Sequence, residues 1–219
     1  MGHRVVCISR EEGAGGQEAA RLVAELLGFR LIDEDIVARA AVEAGVEQNV
    51  VADVEQRKSL LVRLIEGLGP AGMATGYGLA PQAVQAHGLP ASDELRGLIQ
   101  SVIEETAAAG DAVIVAHAAS LALGGREDVL RVLVTASPRT RERRLAAALG
   151  ITGSEAARTV KQSDAGRADY IKRFYGVSAE LPTHYDLVVN TDKLEPEYAA
   201  QLIAGVAAGR LSSTQPVSG

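Results

Sequence analysis

A chain of 219 residues, 47% of them hydrophobic and with no long charged or low-complexity block, can bury one sizeable core with at most a small appended lobe. A formal charge of −6 argues against a surface devoted to nucleic acid, and no run of eighteen apolar residues suggests a membrane span. A single cysteine gives no disulfide framework and the start lacks a leader-like pattern, so a soluble, cytoplasmic protein is expected.

The first apolar run, Val5-Val6-Cys7-Ile8, reads as a strand in which the cysteine is core packing rather than a nucleophile. It breaks into Arg10-Glu11-Glu12-Gly13-Ala14-Gly15-Gly16-Gln17-Glu18. Ala19, Leu22, Val23, Leu26 and Leu27 then recur at helical spacing, and Gly28 stands where a left-handed cap is expected. A strand, a glycine turn and a helix in that order aim unpaired backbone N–H groups and partial positive charge at whatever fills the turn. Gly13, Gly15 and Gly16 let the backbone wrap an anion closely, and phosphate is the natural guest. The match to G-x-x-x-x-G-K-[ST] is incomplete. Gly16 stands at the lysine position, and Gln17 and Glu18 stand where a hydroxyl would meet magnesium. Taken alone, the turn reads equally well as a glycine-rich connection with no ligand.

Phe29-Arg30-Leu31-Ile32 is a second short strand ending in Asp33-Glu34-Asp35, at the sheet edge where open α/β folds bind ligands. Residues 36–66 read as helical, with Arg39 riding on the first apolar stripe. Residues 67–90 are rich in glycine and proline and read as a mobile arm that reshapes a pocket or mediates self-association, so a homo-oligomer is one expectation. Ser92 is placed to cap a helix carrying Leu95, Leu98, Ile99, Val102 and Ile103, which Gly110 ends. Ala112-Val113-Ile114-Val115 is a third strand with His117 just beyond it, Leu130 to Val134 a fourth, and Asp186 to Val189 a fifth leading into Asn190-Thr191. A helix from Pro196 to about Ala208 closes the fold, and residues 211–219 read as a frayed tail. Strands alternating with helices predict a three-layer α/β sandwich with a parallel five-stranded sheet.

Charge is unevenly spread. Between Arg139 and Arg173 nine basic residues face four acidic ones, a local +5 in a chain of −6. Arg141 and Arg144 lie three apart on one helix, and Thr152 with Glu155 forms a capping-box pattern that starts another. On that second helix Lys161, Asp164 and Arg167 share a broad side. Arginines so placed could clamp the oxygens of a transferring phosphoryl group. Asp164 is open to three readings: a surface ion pair, a residue that orients an arginine, or an acceptor for a sugar hydroxyl.

Together these residues resemble the cytidylate-kinase-like branch of the nucleoside monophosphate kinases. The stretch from Ile8 to Glu18 resembles its I-S-R-x-x-G-[SA]-G-G-x-E pattern. Asp164 to Tyr170 resembles its D-x-x-R-x-x-Y helix, and Tyr185 to Thr191 its Y-D-L-v-i-N-T strand. The resemblance implies a P-loop kinase fold with a helical lid and ATP as phosphoryl donor with magnesium. It implies CMP or a related monophosphate as acceptor, and neither a nucleic acid polymer nor a membrane as partner.

It also implies roles. Gly13, Ala14, Gly15, Gly16, Gln17 and Glu18 hold donor phosphates, Arg141 and Arg144 match lid arginines, and Arg167 contacts the acceptor phosphate. Asp33, Arg39 and Asp164 seat the acceptor. Two departures stand out: Gln17 where the family commonly has an arginine, and Ala116-His117 where it has G-R. Arg10 could supply one of the missing charges and a protonated His117, on the acceptor side, the other. The expected layout is a single domain over 1–219, with a core of 1–35, 93–138 and 183–210, an acceptor-side region over 36–92 and a lid over 139–176. No protein metal ligand is assigned. The rival readings are a nucleotide-binding sensor that has lost turnover and a kinase for a non-nucleotide metabolite.

Overall fold

A computed structural model describes residues 2–33, 92–115 and 119–210. The expectations placed on residues 36–66 with Arg39, on residues 67–90, on His117 and on the tail over 211–219 therefore lie outside the described residues. The chain divides into two compact units, one of Met1–Ile32 with Gly110–Gly219 and one of Asp33–Ala109.

The first unit is built on five parallel strands: β1 (Val5–Arg10), β2 (Arg30–Ile32), β3 (Ala112–Val115), β4 (Val129–Thr135) and β5 (Leu187–Asn190). Their order across the sheet is β2-β3-β1-β4-β5. Val5 pairs with Ala112 on one side and Val129 on the other, and Ile8 with Val115 and Val132. The chain thus runs from β1 to β2 at one edge, comes back inward to β3 beside β1, and then crosses to the other side for β4 and β5. That reversal opens a crevice beyond the C-terminal ends of β1 and β4.

Alternation along β1 explains why both faces of the sheet are covered. Val6 and Ile8 enter a core with Ala19, Ala20 and Val23 of α1 (Gly16–Leu27) and with Ala199, Ala200 and Ile203 of the C-terminal helix over Pro196–Ala207. The alanines let these two helices pack closely against each other and the sheet. On the opposite face the hydroxyl of Ser9 lies 3.1 Å from that of Ser120. Ser120 belongs to a short helix over Ala119–Ala122 that the sequence pattern did not announce.

The second unit contributes α2 (Ser92–Ala109), which buries Val102, Ile103, Thr106 and Ala107, a stripe of helical period. In chain order the remaining helices of the first unit are α3 (Ala119–Ala122), α4 (Pro138–Leu149), α5 (Gly153–Tyr175) and α6 (Pro196–Ala207). Proline opens both α4 and α6, where its missing N–H is no loss. The hydroxyl of Thr152 and the carboxylate of Glu155 complete the expected capping box of α5. Leu145, Ile151, Ala156 and Val160 join α4 to α5 as a helical hairpin with its own small core. No helix among the described residues is long and apolar enough to cross a membrane.

Candidate functional site

The turn after β1 lies in the crevice. Its first amide, that of Glu11, donates to the carbonyl of Val134 at the end of β4 (3.1 Å), so the turn leaves the sheet beside the root of α4. Gly15 occupies the N-cap of α1 at φ 78°, a left-handed conformation that favours glycine, and no side chain caps the helix. The first amides of α1 thus point out without an intrahelical partner, an arrangement suited to an anion. Gly13, at φ 80°, meets α4 directly: a Cβ there would stand 2.7 Å from the carbonyl oxygen of Arg141.

Arg141 is almost wholly buried and wires the turn to the helical hairpin. Its Nε donates to the carbonyl of Glu12 (2.7 Å), and its two terminal nitrogens grip both oxygens of Asp164 on α5 at 3.1 and 2.5 Å. Glu11 completes the set, with Oε2 3.2 Å from Arg141 Nη1 while it accepts from the hydroxyl of Thr135 (2.7 Å). Of the three sequence readings of Asp164, the geometry is that of a carboxylate that orients an arginine. A guanidinium with this many acceptors is charged and fixed in direction.

Arg144, one turn further along α4, is held differently. Its Nη1 donates to the hydroxyl of Thr191 (2.9 Å) and its Nη2 to the Thr191 carbonyl (2.8 Å). The same hydroxyl donates to the carbonyl of Ala14 (2.7 Å), so Thr191 ties the end of β5 to the glycine turn and sets the arginine beside it. Among the described residues Arg144 makes no ion pair, and its positive charge stands next to the turn uncompensated by a carboxylate in direct contact. Close by, Asp192 accepts from the Ser137 backbone N–H and hydroxyl at the root of α4. The Ser137 N–H first, then the hydroxyls of Thr140 and Ser137, and the nearby charge of Arg144 hold its carboxyl below the usual carboxylate range.

Arg167 projects from α5 to the same edge and is also buried. Its Nε and Nη2 fork onto Glu180 at 2.8 and 2.5 Å, its Nη1 donates to the carbonyl of Arg10 (3.2 Å), and Tyr185 donates to Glu180 from the other side. Beside this cluster lies a cavity of about 250 Å³ lined by Glu11, Asp164, Arg167, Ile171, Val177 and Glu180, among others. Its lining holds one cation, Arg167, which is forked onto Glu180, while Glu11 and Asp164 are paired with Arg141.

The structure therefore brings together Arg10, Gly13, Ala14, Gly15, Gly16, Arg141, Arg144, Asp164 and Arg167. Gln17 and Glu18 are exposed on the first turn of α1, and Glu18 is engaged by Arg21, whose hydrogen bonds lower its carboxyl pKa. Asp33 follows β2 directly in the chain and belongs to the other unit. Three further residues complete the arrangement: Glu11, Glu180 and Thr191. Thr191 stood in a recognised motif, whereas Glu180 follows α5 in a stretch without periodicity and gave no signal. No group of three His, Cys, Asp or Glu side chains among the described residues is arranged to hold a metal ion.

Among solved structures the chain is similar to an uncharacterized protein from Eubacterium ventriosum, with a TM-score of 0.66 at 17% identity, covering 94% of this chain and 98% of that one. It is also similar to TT1252 from Thermus thermophilus, with a TM-score of 0.52 at 16% identity over 97% of this chain and 100% of that one. At these identities the likeness shows the fold alone. No curated protein sequence is significantly similar to the chain. A parallel sheet in the order found here, with a glycine turn between β1 and an uncapped helix, is the P-loop kinase fold. The sequence profile of the cytidylate kinase-like family matches residues 5–193, from β1 to just beyond β5, and the chain belongs to that family.

Proposed function

We propose that this protein transfers the γ-phosphoryl group of ATP to CMP or a related nucleoside monophosphate. The observation that carries the reading is the uncapped N-terminus of α1 with Arg144 beside it, a cation that no contacting carboxylate neutralises. In this reading the amides from Gly13 to Glu18 hold the donor phosphates, and Arg141, Arg144 and Arg167 balance the charge that spreads over the transferring group. Asp33, Arg39 and His117 seat the acceptor, while Asp164 holds Arg141 in direction. Residues 139–176 act as a lid, and the whole chain works as one domain. Phosphoryl transfer asks the protein for alignment and fixed positive charge more than for proton transfer, which suits a site rich in arginine. Magnesium, carried in on the nucleotide, would supply neutralisation of the phosphate charge.

The test is a coupled assay with ATP, magnesium and each common nucleoside monophosphate. Acceptor-dependent ADP formation is expected with CMP among the best acceptors, and no turnover with any of them at saturating nucleotide would defeat the enzymatic reading. A second reading, a nucleotide-binding sensor without turnover, draws support from the forks that hold Arg141 to Asp164 and Arg167 to Glu180. It expects nucleotide to raise the melting temperature with no product formed. A non-nucleotide acceptor would share the donor site, and a panel of phosphorylatable alcohols competed against CMP separates that case.

A further inference from the structure

The loop lacks the lysine that usually completes a phosphate-binding turn, and the geometry around Gly16 accounts for its absence. Laid on G-x-x-x-x-G-K-[ST], the chain has Arg10 at the first glycine, Gly15 at the second and Gly16 at the lysine. These two exchanged positions touch. A Cβ on Gly16 would lie 2.5 Å from Cβ of Arg10 and 3.4 Å from its Cδ. The clash is with the root of the arginine side chain, which no rotamer change relieves, so a lysine at position 16 and an arginine at position 10 exclude each other.

From beside Gly16 the Arg10 side chain runs back along the turn, and its Nη1 ends 3.1 Å from Oε2 of Glu12. It thus spans the loop from the first residue of α1 to the second residue after β1. Its Nε is buried with no hydrogen-bond partner among the described residues, which is uncommon for a charged group. Directly alongside, α1 begins without a side-chain cap. A buried guanidinium donor and uncapped helix amides, adjacent to each other and both short of an acceptor, would be satisfied by one polyoxygen anion.

We propose that Arg10 is the cationic phosphate ligand of this turn. Its charge comes from the end of the first strand instead of the first residue of the helix, and glycine at position 16 is the steric counterpart of that exchange. The proposal rests on the donor-site reading above and adds to it which residue replaces the lysine. Glu12 holds Arg10 until phosphate oxygens take over. The pair is partly exposed, so a doubly or triply charged phosphate chain displaces it readily.

The experiment measures binding of adenosine, ADP, ATP and inorganic tripolyphosphate by calorimetry, alongside thermal melting, for the full chain and four variants. Arg10→Gly is expected to weaken ATP and tripolyphosphate about ten- to a hundredfold, in line with a lost charge-assisted hydrogen bond, while leaving adenosine unaffected. Arg10→Lys should retain part of the affinity. Gly16→Lys alone should lower the melting temperature because of the clash with Arg10. In the double variant Arg10→Gly with Gly16→Lys the melting temperature should recover, since only Val134 Cβ at 3.3 Å then needs to give way. Its ATP affinity should return to within a few-fold of the parent. A folded Arg10→Gly variant that binds ATP as the parent does would overturn the role of Arg10 while leaving the donor site standing. A double variant that melts like the parent but binds ATP no better than Arg10→Gly would do the same. If the parent binds neither ATP nor tripolyphosphate, the donor-site reading falls and this proposal falls with it.

Discussion

The two ends of the sheet use the same residue types to opposite effect. At the N-terminal ends of the strands, Arg4 meets Asp111, Arg126 meets Asp128 and Arg131 meets Asp186 across the open surface. At the C-terminal ends, Arg141 and Arg167 keep only 3% and 6% of their side-chain surface exposed, and each also donates to a main-chain carbonyl in or next to the glycine turn. Both ends are rich in paired charge, so pairing does not mark the candidate site. What marks it is guanidinium groups taken out of water and referenced to the backbone that would hold a phosphate. Ion pairs of the first kind contribute little, whereas removing one partner of the second kind leaves stranded polar groups.

That contrast is open to direct challenge. Arg141→Ala should have the largest effect, lowering the unfolding free energy in urea by about 3 kcal/mol, because it leaves the Glu12 carbonyl, Glu11 and Asp164 without their shared donor. A loss under about 1 kcal/mol would mean that this cluster is no different from a surface pair. Glu180→Gln keeps the shape but removes the charge that faces Arg167 and Tyr185, and about 1–2 kcal/mol should be lost by the same measurement. An unchanged midpoint would show that the fork is not maintained in solution.

At the other end of the sheet, Arg131→Ala should cost about 0–1 kcal/mol at neutral pH. Hydrogen bonds from Arg131 hold the Asp186 carboxyl below its ordinary range, so the contribution is present above the unfolded carboxylate value near 3.9. It is lost as pH falls from there through the lower folded value. The gap between parent and variant should therefore close in acid, and a gap that widened below pH ~4 would contradict the assigned direction. The smallest effect concerns Cys7, whose thiol burial pushes up to about 12 despite Arg126 and Arg131 nearby. Native protein at pH ~8 should resist a disulfide-exchange reagent that labels the unfolded chain at once, since a free thiol titrates near 8.5. Rapid native labelling would show that the core beneath this end opens easily.

Much of the architecture could be read from local pattern. The β-branched runs of β1 and β3, the cap at Gly28 and the Thr152–Glu155 box all express themselves within a few residues, and each appears as expected. Boundaries moved by a residue where tertiary bonding intervened. β4 extends to Val129 and Thr135 because β1 and β5 offer partners at both its ends, and β5 starts at Leu187 and runs to Asn190. Asp186, expected to open that strand, instead turns its carboxylate onto Arg131. The glycine turn and the arginines were visible as types in a spacing. Their wiring was not, because it joins residues far apart in the chain: Thr191 to Arg144 over 47 positions and Glu12 to Arg141 over 129. Motif spacing set Arg141 and Arg167 apart from Arg139 and Arg173, but that the first two are buried and the other two exposed is decided by the fold.

The close approach at Gly13 has a mechanical consequence. Where its Cα faces the main chain of Arg141, no side chain intervenes to act as a compressible spacer. Elsewhere in a protein, rotamer changes absorb small displacements between neighbouring segments; here two backbones bear on each other without slack. A shift of the root of α4 by a fraction of an ångström is therefore passed undamped to the amides that would cradle an anion, and a shift of those amides is returned the same way.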